Sequence, residues 1–151
     1  MFKIRKFRDE DTKEVIKVIT TVLKQLFNCK KKDLGDNLIE DLSHIKENYF
    51  AKGGAFFVGE YNGKIIGTAA VVPENKTTAR LHRMYLYKSY RGKGYGSKLF
   101  NYREKWCKDN GYKKIILSTY PHFKEAIRMF KSKGYKEFKR DKEQIFFYKR
   151  I

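Results

Sequence analysis

"YRGKGYGSKL", residues 90–99, crowds three glycines, two lysines and an arginine into one short stretch. Such a loop exposes backbone N–H groups beside cationic side chains, a setting that suits phosphate. Glycine also lets the backbone approach a pyrophosphate closely, where a Cβ would intrude. Three spacings compete for these letters. A P-loop needs Gly, four residues, then Gly-Lys-Ser/Thr; from Gly92 the fifth position on is Ser97, and Lys98 is followed by Leu99, which removes that reading. A dinucleotide fingerprint fits Gly92 and Gly94 but meets Ser97 where its third glycine belongs, and the early β-α-β context is missing. R/Q-x-x-G-x-G/A is filled by Arg91, Gly94 and Gly96 without adjustment. A glycine-rich turn with no ligand would carry the same letters, so the flanks matter. The loop follows a buried strand, "ARLHRMYLY", and opens a helix carrying Leu99, Phe100, Tyr102, Trp106 and Cys107. N–H groups of residues 92–96 can then converge on an anion at the positive end of a helix.

On the N-terminal side of the loop the pattern predicts "FKIRKF" as a short strand and Asp9 or Asp11 as the cap of the next helix. That helix has the apolar stripe Val15, Ile16, Val18, Ile19, Val22, Leu23, Leu26, a spacing that marks core rather than a membrane face. A basic turn, "NCKKKDLGDN", separates it from a second amphipathic helix through Leu38, Ile39, Leu42, Ile45 and Tyr49, ending near "KGG". "GAFFVGEYNGKIIGTAAVV" reads as two strands joined at Asn62-Gly63, a strong hairpin signal. After the glycine loop and its helix, "YKKIILSTY" is another buried strand and "HFKEAIRMFKSKG" an amphipathic helix stopped by Gly134. "YKEFKRDKEQIFFYKR" closes as a hairpin. The predicted order is β-α-α-β-β-β-α-β-α-β-β, a mixed α/β fold with a largely antiparallel central sheet flanked by helices.

The chain of 151 residues is long enough to bury a core, and its 41% hydrophobic and 16% aromatic content argue against disorder. It carries 35 Lys plus Arg against 17 Asp plus Glu, a net charge of +18. That field attracts polyanions, whether nucleic acid, acidic membrane or phosphorylated cofactor, but a lysine-rich surface alone names none of them. Cys29 and Cys107 stand far apart with no Cys-x-x-Cys pair and no His at metal spacing, so reduced thiols and no metal site are expected. The charged start "MFKIRKFRDED" does not read as a secretory signal, and no apolar run approaches the length of a membrane span. The expectation is a cytoplasmic protein with no membrane partner.

"LHRMYLYKSYRGKGYGSKLF" resembles the core motif of the GNAT superfamily of acyl-CoA-dependent N-acyltransferases. "FFVGEYNGKIIGTAAVVP" is similar to that family's second and third strands, and "GYKKIILSTY" with "EAIRMFKSKGYKEF" to its fifth strand and following helix, together covering roughly residues 54–138. The resemblance implies one N-acetyltransferase domain over 1–151. It implies that the backbone of Met84, Tyr85 and Leu86 receives the acyl and pantetheine part of CoA, with the Leu86 N–H at the thioester oxygen. Arg91, Gly92, Lys93, Gly94, Tyr95, Gly96 and Ser97 would wrap the pyrophosphate. Acetyl-CoA is the implied co-substrate and a small-molecule or peptide amine the acceptor, with nucleic acid an unlikely partner. Physical chemistry agrees on one point: pantetheine's two amides can pair with a splayed strand as an added strand would.

Acyl transfer to an amine needs a base, because an alkylamine holds its proton to about pH 10. His82, on the strand leading to the loop, is the candidate; the competing role is packing within the sheet. His44 and His122 are lesser candidates. The leaving thiolate raises a second question. Where the family commonly has a Tyr proton donor, four residues after Ala126, this chain has Phe130, which has no proton to give and suits core packing. Tyr85, Tyr87, Tyr120 and Tyr135 are the alternatives. Two rival readings stay open at this point: a catalytically weak CoA-binding regulator, and a basic nucleic-acid-binding module.

Overall fold

A computed structural model of the chain describes residues 1–30, 34 and 36–151, without the Asp36 side chain. The expected element order is the observed one. Strand β1 (Phe2–Lys6) leads through a 3₁₀ turn (Asp9–Asp11) to α1 (Thr12–Phe27) and α2 (Asp36–Leu42), then β2 (Ala55–Tyr61), β3 (Lys64–Pro73) and β4 (Thr78–Leu86). After the glycine loop come α3 (Tyr95–Asp109), β5 (Lys114–Thr119), α4 (Lys124–Ser132), β6 (Lys136–Arg140) and β7 (Ile145–Arg150). Seven strands form one sheet in the order β1-β2-β3-β4-β5-β7-β6. All neighbours are antiparallel except β4 and β5.

Alternation along β2 shows why the sheet is buried on both faces. Phe56 points into the core beneath α1 and α2, beside Phe7 and Tyr49. Phe57, one residue on, points the other way, against Tyr102 and Trp106 of α3. Val15, Val18, Ile19 and Val22 of α1 are buried on the first face. Leu99, Phe100, Arg103 and Cys107, at helical spacing on α3, are buried on the second. Removing a ring such as Phe100, which is fully buried, would cost about 3–5 kcal/mol.

Local expectations were met in most places and corrected in two. Asn62 and Gly63 both take positive φ, 50° and 82°, as a two-residue hairpin turn requires. Asp11 does not cap α1 through its side chain. Its carboxylate instead accepts two hydrogen bonds from the Arg5 guanidinium, at 2.7 and 2.9 Å. Burial alone would raise the Asp11 carboxyl, but Arg5 outweighs it and holds the group below the usual carboxylate range. The helix expected from Leu38 to Tyr49 is broken: α2 ends at Leu42 and a separate π-helical turn spans Lys46–Phe50. Part of the "NCKKKDLGDN" segment, residues 31–33 and 35, lies outside the described residues. Among the described residues no helix is long and apolar enough to cross a membrane, and no group of three or more His, Cys, Asp or Glu side chains is placed to hold a metal. Cys29 and Cys107 are free thiols.

Candidate functional site

Strands β4 and β5 run parallel through three residue pairs only, Thr78↔Lys114, Ala79↔Ile115 and Arg80↔Ile116, and then part. Beyond that point β4 stays with β3 out to Leu86, and β5 stays with β7 out to Thr119. A wedge therefore opens between residues 81–86 and 117–119, with the facing edge of each strand unpaired along it. The Tyr87 N–H bonds the Ile66 carbonyl on β3 at 3.0 Å, so strand alternation turns the Leu86 amide toward the wedge.

A bulge sharpens the parting. Thr68 pairs with Tyr85 and Ala70 with His82, leaving β4 one residue longer than β3 across this stretch. Arg83 absorbs the extra residue with φ of 53°, a left-handed conformation that is strained for a non-glycine. Two side chains hold it there. The Thr68 hydroxyl donates to the Arg83 carbonyl at 2.9 Å. From α3, the buried Arg103 donates to the Ala70 and His82 carbonyls at 3.3 and 3.2 Å and reaches the Met84 sulfur at 3.0 Å. Its Nε has no partner among the described residues, and burial pushes the guanidinium down to about 10. Tyr85 consequently packs on the α1–α2 face and Met84 on the α3–α4 face.

The glycine loop sits at the mouth of the wedge, straight after a 3₁₀ turn at Lys88–Tyr90. Arg91 ties it back to the strand, its Nε donating to the Leu86 carbonyl at 3.2 Å. Gly92 and Gly94 take φ of 78° and 85°, and a Cβ added at either would meet nothing within 4 Å. The left-handed backbone, rather than crowding by the protein, is what selects glycine there. Residues 91–94 are exposed and residues 95–97 half-buried. The first turn of α3 begins with Lys98 N–H to Gly94 carbonyl, so the amides of residues 95–97 have no helical acceptor before them. They point out of a helix N-terminus as anion-binding donors.

Side chains around the loop are already engaged. The Tyr95 ring stacks on Phe2 with centroids 4.3 Å apart, so Tyr95 offers the site its backbone. Lys93 lies 5.8 Å from the Tyr90 ring centroid. Ser97 accepts from the Lys133 ammonium at 2.9 Å, which also donates to Asn101 at 2.7 Å. Burial lowers the Lys133 pKa from its ordinary value.

On the opposite face two depressions flank the bulge. A cleft of about 530 Å³ opens between the end of α1, α2 and the tips of the parted strands, with Leu26, Phe27, Arg83, Tyr85 and Tyr120 in its lining. A groove of about 650 Å³ lies beside it, lined by Asp41, Tyr49, Arg80 and His82. Between them runs a hydrogen-bonded network: Arg83 donates to Asp41 at 3.2 Å and to the Tyr49 hydroxyl at 3.4 Å, and Tyr49 donates to Asp41 at 2.6 Å. The sequence reading missed this network, because its members are 8 to 42 residues apart and no local pattern links them.

His82 thus lies on the expected strand but in the groove, with Tyr49 at 6.5 Å between ring centroids, and not in the cleft beside Tyr85. Poor hydration of the imidazolium, followed by the Arg83 charge, lowers its pKa from 6.5 to about 4. The residue as a whole stays exposed on the groove side. Phe130 is buried, at 9% exposure, against Phe100 and Phe147. Tyr135 is likewise committed, donating to Glu104 at 2.8 Å. Tyr85 and Tyr120 remain as the hydroxyls bordering the wedge, and burial keeps Tyr85 protonated above the usual phenol range.

Known proteins share this fold. The family model described as the acetyltransferase (GNAT) family matches residues 20–135. The uncharacterized N-acetyltransferase YjgM of Escherichia coli (strain K12) is 29% identical over 98 residues, 63% of this chain and 59% of that protein. Human N-acetyltransferase 8B is 28% identical over 103 residues, 64% of this chain and 45% of that protein. The chain spans about half the length of the curated relatives it matches. A GNAT-family acetyltransferase from Staphylococcus aureus Mu50 superposes with a TM-score of 0.88 at 26% identity, covering 99% of both chains. The PaiA N-acetyltransferase of Thermoplasma acidophilum, solved in complex with coenzyme A, superposes at 0.80 with 20% identity, covering 100% of this chain and 99% of its own, and speaks for the fold. With the family model matching residues 20–135, most of its length, the chain belongs to the GNAT acetyltransferase family.

Proposed function

We propose that the protein transfers an acyl group, most simply acetyl, from CoA to a primary amine by direct attack. The observation that carries this reading is the wedge between β4 and β5, with the left-handed glycine turn and the amides of residues 95–97 at a helix N-terminus at its mouth. Those features fit one ligand shape: a diphosphate for the amides, followed by an extended chain bearing two amides for the bare strand edge. Arg91, Gly92, Lys93, Gly94, Tyr95, Gly96 and Ser97 would hold the diphosphate. The backbone of Met84, Tyr85 and Leu86 would line the chain, with the Leu86 N–H at the thioester oxygen. The +18 charge assists capture of this polyanion. Two free thiols suit a reducing compartment, and a cytoplasmic location is part of this reading.

The reaction balances simply. The amine, having lost its ammonium proton, attacks the thioester carbonyl carbon; its nitrogen forms the C–N bond and gives up a second proton as the C–S bond breaks, so that one proton is released overall. The thiolate then takes up one proton. His82, on the strand that borders the wedge, is the proposed acceptor of the amine proton, relayed by solvent from the cleft; it is unprotonated at neutral pH, and its lowered pKa makes it a weaker base than an ordinary histidine. Leu86 N–H stabilises the developing oxyanion. Tyr85 and Tyr120, at the wedge, are placed to protonate the thiolate in the role that Phe130 cannot fill. A thiol with pKa near 8.5 also leaves tolerably unaided.

Thermal denaturation with and without acetyl-CoA, together with thiol release over a panel of amines, tests the proposal. Acetyl-CoA should raise the melting temperature, and at least one amine should accelerate thiol release. A melting temperature unmoved by acetyl-CoA but raised by single-stranded nucleic acid at low salt would reject it.

A further inference from the structure

Among the described residues lining the cleft on the α1–α2 face, Arg83 alone is charged. Its side chain is 17% exposed, and of its five N–H donors the guanidinium uses, among the described residues, one on Tyr49 and one on Asp41, with the Tyr85 hydroxyl also within its reach. Its partner Asp41 is shared, since the same carboxylate accepts from Tyr49 at 2.6 Å and from Asn48 at 3.3 Å. Arg83 therefore keeps donors for a planar anion, the geometry guanidinium matches best. The strained bulge is what aims it: at φ 53° the residue occupies a position a regular strand would not offer.

The rest of the lining is apolar and aromatic. Phe27, at the end of α1, stays 40% exposed although it forms an edge-to-face contact with Tyr120 at 5.3 Å and lies 6.0 Å from Phe123. Tyr120 and Phe123 touch in turn at 5.3 Å. Three aromatic rings at the mouth of a 530 Å³ cleft make a surface that an apolar group would cover.

Resting on the acyltransferase reading above, we propose that the acceptor is an α-amino acid with an aromatic or branched aliphatic side chain. Its carboxylate would pair with Arg83 and its side chain would lie among Leu23, Leu26, Phe27 and Phe123. One carbon separates the two polar groups of an amino acid. A carboxylate on Arg83 therefore delivers the amine beside Tyr85, two residues along the same strand, at the wedge where the thioester is expected. A polyamine has nothing for Arg83, and both the guanidinium and the +18 field repel its extra charges.

The test uses the full chain with saturating acetyl-CoA and compares L-phenylalanine and L-leucine with phenethylamine, isoamylamine and spermidine, reading thiol release. Each amino acid should exceed its decarboxylated counterpart roughly 10- to 100-fold in kcat/KM, the worth of a charge-assisted hydrogen-bonded pair. Arg83→Gln should close that gap. Since Arg83 also serves the bulge, Phe27→Ser is the second variant, and it should raise KM for L-phenylalanine several-fold more than for L-alanine. CoA affinity, measured by calorimetry, should be unchanged in Phe27→Ser. Amines acetylated as well as the amino acids would overturn the proposal, and so would no turnover on any of the five while CoA binds. Both leave the acyltransferase reading separate, because that reading fails where acetyl-CoA does not bind or where no amine of the wider panel accelerates thiol release.

Discussion

His82 and Arg83 are neighbours in sequence, yet the bulge sends them to different depressions, and each changes the other's chemistry. The Arg83 charge adds to poor hydration in holding the imidazole neutral. Burial would lower the Arg83 pKa, but Tyr49, Tyr85 and Asp41 together outweigh it and keep the guanidinium charged. If His82 is the base, His82→Ala should lower kcat by roughly 100-fold while leaving CoA affinity unchanged. The sign of the pH dependence follows from the direction of the shift. A base with pKa about 4 is active above that value, so the acid limb of kcat/KM should fall well below the ordinary histidine range near 6.5. The same depressed pKa makes folding stability decline as pH drops from about 6.5 toward 4, where the unfolded chain binds the proton more readily. An acid limb at pH 6.5 or above that persists in His82→Ala would remove His82 from the reaction. At this scale the sequence was legible where a residue type has few uses. The left-handed turn at Gly94 and the burial of Phe130 were readable. Arg83, Asp41 and Tyr49 were not, because a bulge decides where they point and a bulge has no letter of its own.

Elements carry the site because β4 has two partners for its first residues and one for its last. Parting of strands is normally expensive, since it exposes unpaired N–H and C=O groups. Here the bulge and its two supports make it a fixed feature: Thr68 binds the Arg83 carbonyl, and Arg103 covers the carbonyls of Ala70 and His82. Thr68 is fully buried, so Thr68→Val keeps the shape and removes one donor. That change should cost about 1–3 kcal/mol, the penalty of an orphaned buried carbonyl, measured by urea denaturation. It should also lower kcat/KM, because the strained Arg83 conformation loses its support. Wild-type stability together with wild-type turnover would show that the bulge holds itself. Element order was legible in full, because period-2 and period-3.6 hydrophobic patterns alternate cleanly from "FKIRKF" to the last hairpin. The interruption between Leu42 and Lys46 was not, since Leu38, Ile39, Leu42, Ile45 and Tyr49 keep helical spacing across it.

At the scale of the molecule, two cores on opposite faces of one sheet meet only across the strands, and the wedge is the place where the sheet itself lets the faces communicate. The proposed division of labour follows from that geometry. A polyanionic donor enters at the loop on the α3 side, drawn by the +18 field, and the acceptor enters between α1, α2 and the aromatic wall. Neither core includes the loop, since residues 91–94 are exposed and a Cβ at Gly92 or Gly94 would meet nothing within 4 Å. Loop chemistry can therefore be changed without unfolding the protein. The most direct measurement is a ¹H–¹⁵N amide spectrum of the ¹⁵N-labelled chain titrated with CoA and, separately, with pantetheine, which lacks the diphosphate. The amide signals of Gly92, Gly94, Gly96 and Ser97 should move strongly with CoA and stay in place with pantetheine, and in Gly94→Val the CoA response should vanish while the remaining spectrum stays folded. Loop amides that ignore CoA while signals elsewhere report its binding would contradict the account.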